Sequence, residues 1–321
     1  MSSLLARSKA QVVRLWRIDA PLTGTGLLML VVLAACGAGL ALDPRSVLDA
    51  PVWLKPAKFA ASISVYSFTL AWLFGYLPSH ARTRRVVGWM TAAAMLIEMG
   101  IIGAQAARGT TSHFNVSTPL NTALWATMGA AIVTQTISTI AVAVALFREK
   151  FADRALGAAL RLGMVITIAG AFLGGAMTQP DEAQLAEMRA GRPAVSGAHT
   201  VGGTDGGPGV ALTGWSREHG DLRVAHFMGL HALQVLPLLA FALRRTRIAR
   251  SQQARLVMTA AGSYTGLVGI LLWQALRGQS LVAPDAATVA ALLGWFGLSA
   301  VFAWRAVARR ALATGAIVSV A

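Results

Sequence analysis

The chain has 321 residues, of which 55% are hydrophobic and 13% charged, and its mean hydropathy is +0.60. A soluble domain normally carries roughly a quarter of its residues as charged side chains, so this composition excludes an ordinary soluble enzyme. The 28 Lys and Arg against 13 Asp and Glu give a formal charge of +15. In a soluble chain that excess of positive charge would indicate nucleic-acid binding. The location of the charges along the chain therefore decides between a nucleic-acid-binding protein and a membrane protein.

Eight stretches along the chain are apolar for about 18 residues or more, which is enough for a helix to cross the hydrocarbon core of a bilayer. In chain order they cover residues 22–42, 58–77, 86–107, 122–147, 157–177, 226–243, 254–276 and 285–304. The sequence therefore predicts an all-α integral membrane bundle of eight transmembrane helices.

The connecting segments fall into two sets if the helices alternate in direction. The set that contains both termini carries 19 basic and three acidic residues, whereas the other set carries nine of each. Lys and Arg are retained on the cytoplasmic side of membrane helices. We therefore expect a bacterial inner-membrane protein with both termini in the cytoplasm. The excess charge then reports orientation, and no nucleic-acid partner is expected.

The third and seventh apolar stretches share a motif. Residues 100–109 and 269–278 both read G-I-x-x-x-Q-A-x-R-G, at an offset of 169. A second match, at an offset of 168, relates residues 54–59 to residues 222–227. Collinear matches at nearly one offset indicate a duplicated four-helix unit.

Four crossings return the chain to its starting side, so the two repeats should be parallel and related by an axis along the membrane normal. The predicted repeats are 1–150 and 151–321. The second contains a glycine-rich insertion, 178–225, with a short surface helix near 181–190. We interpret the insertion as an extracytoplasmic loop or lid.

Most of the residues capable of chemistry lie at the predicted outer side. Arg108 and Arg277 each follow a glutamine, Gln105 and Gln274, by about one helical turn. They could reach lipid phosphates as isolated side chains, or together hold one anionic group such as haem propionates or a lipid phosphate. Glu98 lies about halfway along its predicted helix, where an ionisable group is a functional candidate or else a protonated carboxyl bonded to a neighbouring helix.

Three histidines are candidate metal ligands because imidazole commonly binds zinc, copper and iron. His226 and His231 are five residues apart, so about 140° separates them around a helix and one ion cannot easily bind both. His231 shares a face with Gln234, which favours His231 as the inward-facing residue of the two. The sequence predicts a site formed by His113 with either His226 or His231. Asn115 and Gln234 are assigned to cofactor binding beside them.

These segments resemble a family of bacterial polytopic membrane proteins to which no activity is assigned. The resemblance rests on residues 53–59, 105–115 and 220–234 and implies location. In architecture, two parallel four-helix halves with outward histidines, the chain is also similar to the haem A synthase family. That similarity implies haem b binding and membrane redox chemistry, although the histidines here do not form pairs inside equivalent helices.

Three functions are compatible with these residues. The first is a membrane redox protein that binds haem or a divalent transition metal, with Glu98, Gln105 and Gln274 forming an inner polar track and a quinone or lipid-like molecule as its substrate. The second is a zinc-dependent hydrolase or transferase that acts on a membrane lipid. The third is a carrier for a lipid or small anion that uses the two arginines. No phosphate-binding glycine motif, H-E-x-x-H, C-x-x-C or G-x-S-x-G sequence is present, so ATP-driven transport and thiol redox chemistry are not expected.

Overall fold

The computed structural model describes residues 2–308, and almost all of its regular structure is helical. Its helices in this range are α1 (Ser2–Ile18), α2 (Ala20–Leu42), α3 (Leu54–Phe74), α4 (Ala81–Ala107), α5 (Pro119–Arg148), α6 (Arg154–Ala176), α7 (Glu182–Arg189), α8 (Leu222–Arg244), α9 (Arg250–Leu276) and α10 (Ala286–Ala308). Eight of them, all except α1 and α7, are long and apolar enough to cross a membrane. Each overlaps one predicted stretch, which confirms the all-α membrane class. Most of the predicted cytoplasmic C-terminal segment lies outside the described residues.

The first helix, α1, is an element that hydropathy did not predict. Its basic residues interrupt any apolar run, and its Val13 and Trp16 side chains are 42% and 50% exposed. A basic helix with exposed apolar side chains is typical of one that lies along a membrane surface. It ends where Asp19 adopts an extended backbone and caps α2, accepting a hydrogen bond at 2.9 Å from the Leu22 N–H.

The chain divides into two compact units. Among the described residues, the first unit contains 2–145, 175–199 and 204–216, and the second contains 146–174, 200–203 and 217–308. Most of the glycine-rich insertion therefore packs with the first unit. The spatial arrangement of two parallel repeats stays a prediction.

Helix boundaries recur between the two units at the offset seen in the sequence. The helices α4 and α9 both have 27 residues, and their first residues, Ala81 and Arg250, are 169 positions apart. The helices α3 and α8 begin at Leu54 and Leu222, 168 positions apart. The shared motifs thus lie in helices of matching extent.

In the first unit, α2, α3, α4 and α5 contribute side chains to a core rich in methionine. Met29, Met95, Met99 and Met128 belong to this core together with Ile63. Unbranched thioether side chains fill irregular gaps between helices without a polar group that needs a partner. This core surrounds the middle of α4, where the candidate Glu98 lies.

The second unit brings α6 and α8 together through glycine. A Cβ atom built on Gly170 would lie 2.7 Å from the carbonyl carbon of Gly229. Thr167 Oγ1 also donates a hydrogen bond to the Leu230 carbonyl across this contact, at 3.2 Å. Small residues are the usual means of close helix approach in membranes, and this approach positions the candidate His226.

The insertion contains the predicted short helix. Asp181 caps α7 by accepting a hydrogen bond from the Gln184 N–H at 2.7 Å, and the Gln184 side chain accepts one from the Asp181 N–H in return. The same side chain donates to the Gly197 carbonyl at 3.1 Å. Two short antiparallel pairs, Ser46–Val47 with Ala50–Pro51 and Thr200–Val201 with Gly220–Asp221, complete the loops.

Candidate functional site

The glutamine of the shared motif closes a helix corner in the first unit. Gly109, with a φ of +66°, allows the chain to reverse after α4. The Thr110 N–H then donates to the Gln105 carbonyl at 3.0 Å, and the Gln105 side chain donates to the Thr111 carbonyl at 3.2 Å. The corner thereby satisfies carbonyl groups that a helix end would otherwise leave unpaired.

The second unit builds the same corner. Gly278 has a φ of +72°, and the Gln279 N–H donates to the Gln274 carbonyl at 3.2 Å. The Gln274 side chain donates to the Ser280 carbonyl, six residues ahead, at 2.7 Å. Gln105 and Gln274 are both buried, 0% and 3% exposed, so each has a structural role in its corner.

The two arginines of the motif have different partners. Arg108 donates to the side-chain oxygens of Gln105 and Asn121, at 2.5 and 3.1 Å. Arg277 forms an ion pair with Asp285 and lies 4.2 Å from the centre of the Trp273 ring. The charge of Arg277 is thus offset by a carboxylate, whereas the partners of Arg108 are neutral amides. Arg108 is therefore the better candidate to attract an additional anion.

The predicted ligand His113 lies among aromatic rings in the first unit. Its ring centre is 5.5 Å from the ring centres of both Phe59 and Trp125, and 6.1 Å from that of Phe114. Its Nδ1 is 3.1 Å from Ser112 Oγ. The loop after α4 therefore holds this imidazole in a defined position.

The amide of Asn115, which was expected to bind a cofactor, holds this loop together. It donates to Thr110 Oγ1 at 3.1 Å and to the Thr111 carbonyl at 3.0 Å, while its oxygen accepts from the Ser117 N–H at 3.2 Å. Asn115 is 4% exposed. These bonds position His113, two residues earlier.

The insertion adds a second histidine beside the same rings. His199 is 6.1 Å from Phe114 between ring centres, and its Nδ1 is 2.8 Å from the Asp205 carboxylate. The sequence places both histidines on the predicted outer side, but the pairing of His199 with Asp205 depends on how a glycine-rich loop folds. Local patterns contain no signal for that pairing.

In the second unit, the order of burial of the two α8 histidines is the reverse of the expected one. His231 is exposed, whereas His226 and Gln234 are half-buried. The His226 Nδ1–H donates to the Gly170 carbonyl at 2.7 Å. A Cβ atom on Gly174 would lie 2.7 Å from the ring carbon Cε1, so the imidazole packs directly on the α6 backbone. The preference for His231 as the inward residue was wrong.

Glu98 occupies the middle of α4 within the methionine-rich core. Its side chain is 2% exposed, and neither of its carboxyl oxygens has a hydrogen-bond partner in the described part of the chain. Lys55, at the start of α3, interacts with it electrostatically. Burying an ionisable group without a hydrogen bond costs free energy, and for that reason such a group inside a membrane helix is a functional candidate.

The chain was compared with protein families, curated proteins and solved structures. No family model, curated protein or solved structure matches the chain. It is a multi-pass membrane protein.

Within residues 2–308, no three His, Cys, Asp or Glu side chains are grouped so that they could hold a metal ion. His113 belongs to the first unit, and His226 and His231 to the second.

Proposed function

We propose that this membrane protein binds haem at the predicted outer end of its second unit and transfers electrons within the membrane, and that His226 is the residue that would hold the haem iron. The observation that supports this is the hydrogen bond from His226 Nδ1–H to the Gly170 carbonyl. Histidines that bind metals usually donate their other ring N–H to a carbonyl or carboxylate, which fixes the tautomer and leaves Nε2 to bind the metal.

The number of ligands favours haem over a protein-bound zinc ion. A catalytic zinc ion requires about three protein ligands, and the described residues contain no such group. Haem iron can be held by a single histidine of the protein, and His226 would be that residue. The zinc-dependent hydrolase or transferase therefore has less support than the redox protein.

Arg277 supports the proposal because it follows the end of α9, and the end of α9 lies at the same end of the second unit as the start of α8. A Cβ on Gly220, two residues before the start of α8, would lie 2.0 Å from the Ala275 carbonyl oxygen, near the end of α9. The end of α9 with Arg277 therefore lies beside the start of α8, and His226 is about one turn into α8. An arginine there would hold an anionic haem propionate.

Bound haem would supply one-electron chemistry, and a membrane quinone is the proposed electron partner. The protein's own residues would orient and enclose the group. Gly170 fixes the imidazole tautomer, Gly174 leaves room for the ring, and Arg277 would hold an acidic edge in exchange for part of its contact with Asp285.

Purified variants test this assignment. We expect His226→Ala to lose bound haem and His231→Ala, a matched change five residues along the same helix, to retain it. Haem content per protein and the reduced-minus-oxidised absorption spectrum provide the readout. If His231→Ala loses haem and His226→Ala keeps it, the assignment of His226 as ligand is wrong.

A carrier for a lipid or small anion is the second candidate, and it is supported by Arg108. The guanidinium of Arg108 is bonded to neutral oxygens and lies on an exposed residue, so its charge is available to an anion. Binding of phosphate-bearing lipid that is lost in Arg108→Ala and retained in Arg277→Ala would favour this function. Equal binding in both variants would argue against it.

A further inference from the structure

Three buried polar residues follow one face of α4 at intervals of seven. Thr91, Glu98 and Gln105 are 0%, 2% and 0% exposed. Seven residues are about 20° short of two full helical turns, so the three side chains form a nearly straight stripe. At about 1.5 Å per residue the stripe is about 21 Å long, a large part of a hydrocarbon core of about 30 Å.

The predicted outer end of this stripe reaches an exposed group. Gln105 donates to the Asn121 side-chain oxygen at 3.0 Å, and Arg108 donates to the oxygens of both. Arg108 is exposed, whereas Gln105 and Asn121 are buried. A hydrogen-bonded network therefore joins the surface to Gln105, the residue at the predicted outer end of the stripe.

The other end of the stripe approaches a buried carboxylate. A Cβ atom on Gly88, three residues before Thr91, would lie 2.3 Å from Asp19 Oδ2, so this carboxyl packs against the α4 backbone. Asp19 is 7% exposed. Burial raises its pKa above the ordinary value, although a hydrogen bond from the Leu22 N–H and the charge of Arg84 oppose the shift.

Two of the three residues of the stripe have polar side-chain atoms that make no hydrogen bond with any described residue. Thr91 Oγ1 and both carboxyl oxygens of Glu98 have no hydrogen-bond partner in the described part of the chain. The α2 and α5 residues in the surrounding core, Met29 and Met128 among them, are apolar. From α3, Lys55 is the charged group that acts on Glu98.

We propose that Glu98 is a proton-binding site that exchanges its proton with the predicted outer face through Gln105, Asn121 and Arg108, and that the stripe continues toward Asp19. Each step would transfer one proton between the Glu98 carboxyl group and a water molecule, and no other bond changes. Gln105, Asn121 and Arg108 keep their own protons and would orient that water by hydrogen bonds. This role belongs to the first unit and does not depend on whether the second unit binds haem.

Labelling with dicyclohexylcarbodiimide tests the proposal in the wild-type protein. This apolar reagent reacts with a protonated carboxyl group. The acid proton moves to a reagent nitrogen, the carboxyl oxygen adds to the central carbon, and the acyl group then moves to nitrogen as a stable N-acylurea. We expect peptide mass spectrometry to find the label on Glu98. Its rate should fall about tenfold per pH unit once Glu98 ionises.

The control carboxyl is Glu187, which is exposed and paired with Arg192 and should stay unlabelled. Glu98→Gln should lose the label at that position. Because the labelling uses the wild-type chain, the test does not depend on the folding of the variant. As a second measurement, Gln105→Leu should slow deuterium exchange of the Glu98 carboxyl, followed by its infrared C=O band, relative to wild type.

Three results would overturn the proposal. Absence of label on Glu98 across the pH range would mean that its carboxyl is never both protonated and accessible. Labelling that does not change with pH would make Glu98 a permanently neutral structural group. Suppression of the label by Na⁺ at constant pH would replace the proton with a metal cation as the bound species.

Discussion

Replacing Gly174 with alanine tests how closely α6 positions His226. The new Cβ would lie 2.7 Å from Cε1 and 3.0 Å from Nδ1 of His226, so the ring must move. Movement weakens the 2.7 Å hydrogen bond to the Gly170 carbonyl, which is worth about 0.5–1.5 kcal/mol. Alanine in place of glycine inside a helix stabilises the folded state by about 0.5–1 kcal/mol. The two effects nearly cancel, so the free energy of unfolding should change by less than about 1 kcal/mol.

The same substitution should lower the affinity for haem even though it leaves the free energy of unfolding nearly unchanged. If the displaced imidazole loses about 1.4 kcal/mol of its interaction with the iron, affinity falls about tenfold. Gly175→Ala is the matched control, because its Cβ would have no neighbour within 4 Å. Thermal unfolding in detergent and haem titration are the assays. Identical affinity in the two variants would refute the argument that Gly174 positions His226.

Three further predictions concern the loops and the membrane orientation. Single cysteines introduced at 80–84 and at 195–205 should react with impermeant thiol reagents from opposite sides of the membrane, and labelling from one side would contradict the orientation. Gly109→Ala should destabilise the protein by about 1–2 kcal/mol, because alanine must adopt the positive φ of the corner; an unchanged midpoint of chemical unfolding would contradict this. Hydrogen bonding by Arg45, with a smaller contribution from the Trp53 N–H, holds the pKa of Asp43 below its usual range. The stabilisation is present above the unfolded pKa of about 4 and is lost as the pH falls through the lower folded value, so Asp43→Asn should be less stable than wild type at neutral pH and equally stable in strong acid.

The sequence predicts the helices of this protein well because a bilayer imposes one strong requirement. Every backbone polar group in hydrocarbon must be paired within the segment, so long apolar runs become helices. The repeated Gln and Gly of the corners after α4 and α9 were recognised in the sequence as a shared motif, although the corners themselves were not predicted. The short helix α7 was predicted from the polar stretch that follows Asp181. These features depend on local chemistry alone.

Features that depend on neighbouring segments were not predictable. The orientation of His226 rather than His231 toward α6 follows from the glycines that face α8, not from α8 itself. The approach of Asp19 to Gly88 joins residues from two helices in the same way. The stripe of Thr91, Glu98 and Gln105 could have been predicted from its seven-residue spacing. It was not, because threonine is common in apolar helices and Thr91 alone gives no signal.

The proposed function requires that this membrane protein hold a redox-active haem through a positioned histidine. The most direct measurement is the absorption spectrum of the purified wild-type protein, oxidised and reduced, with iron, copper and zinc measured on the same sample. We predict a haem spectrum that changes on reduction, with stoichiometric iron. A featureless spectrum without stoichiometric iron would contradict the claim, and stoichiometric zinc in its place would favour the hydrolase or transferase.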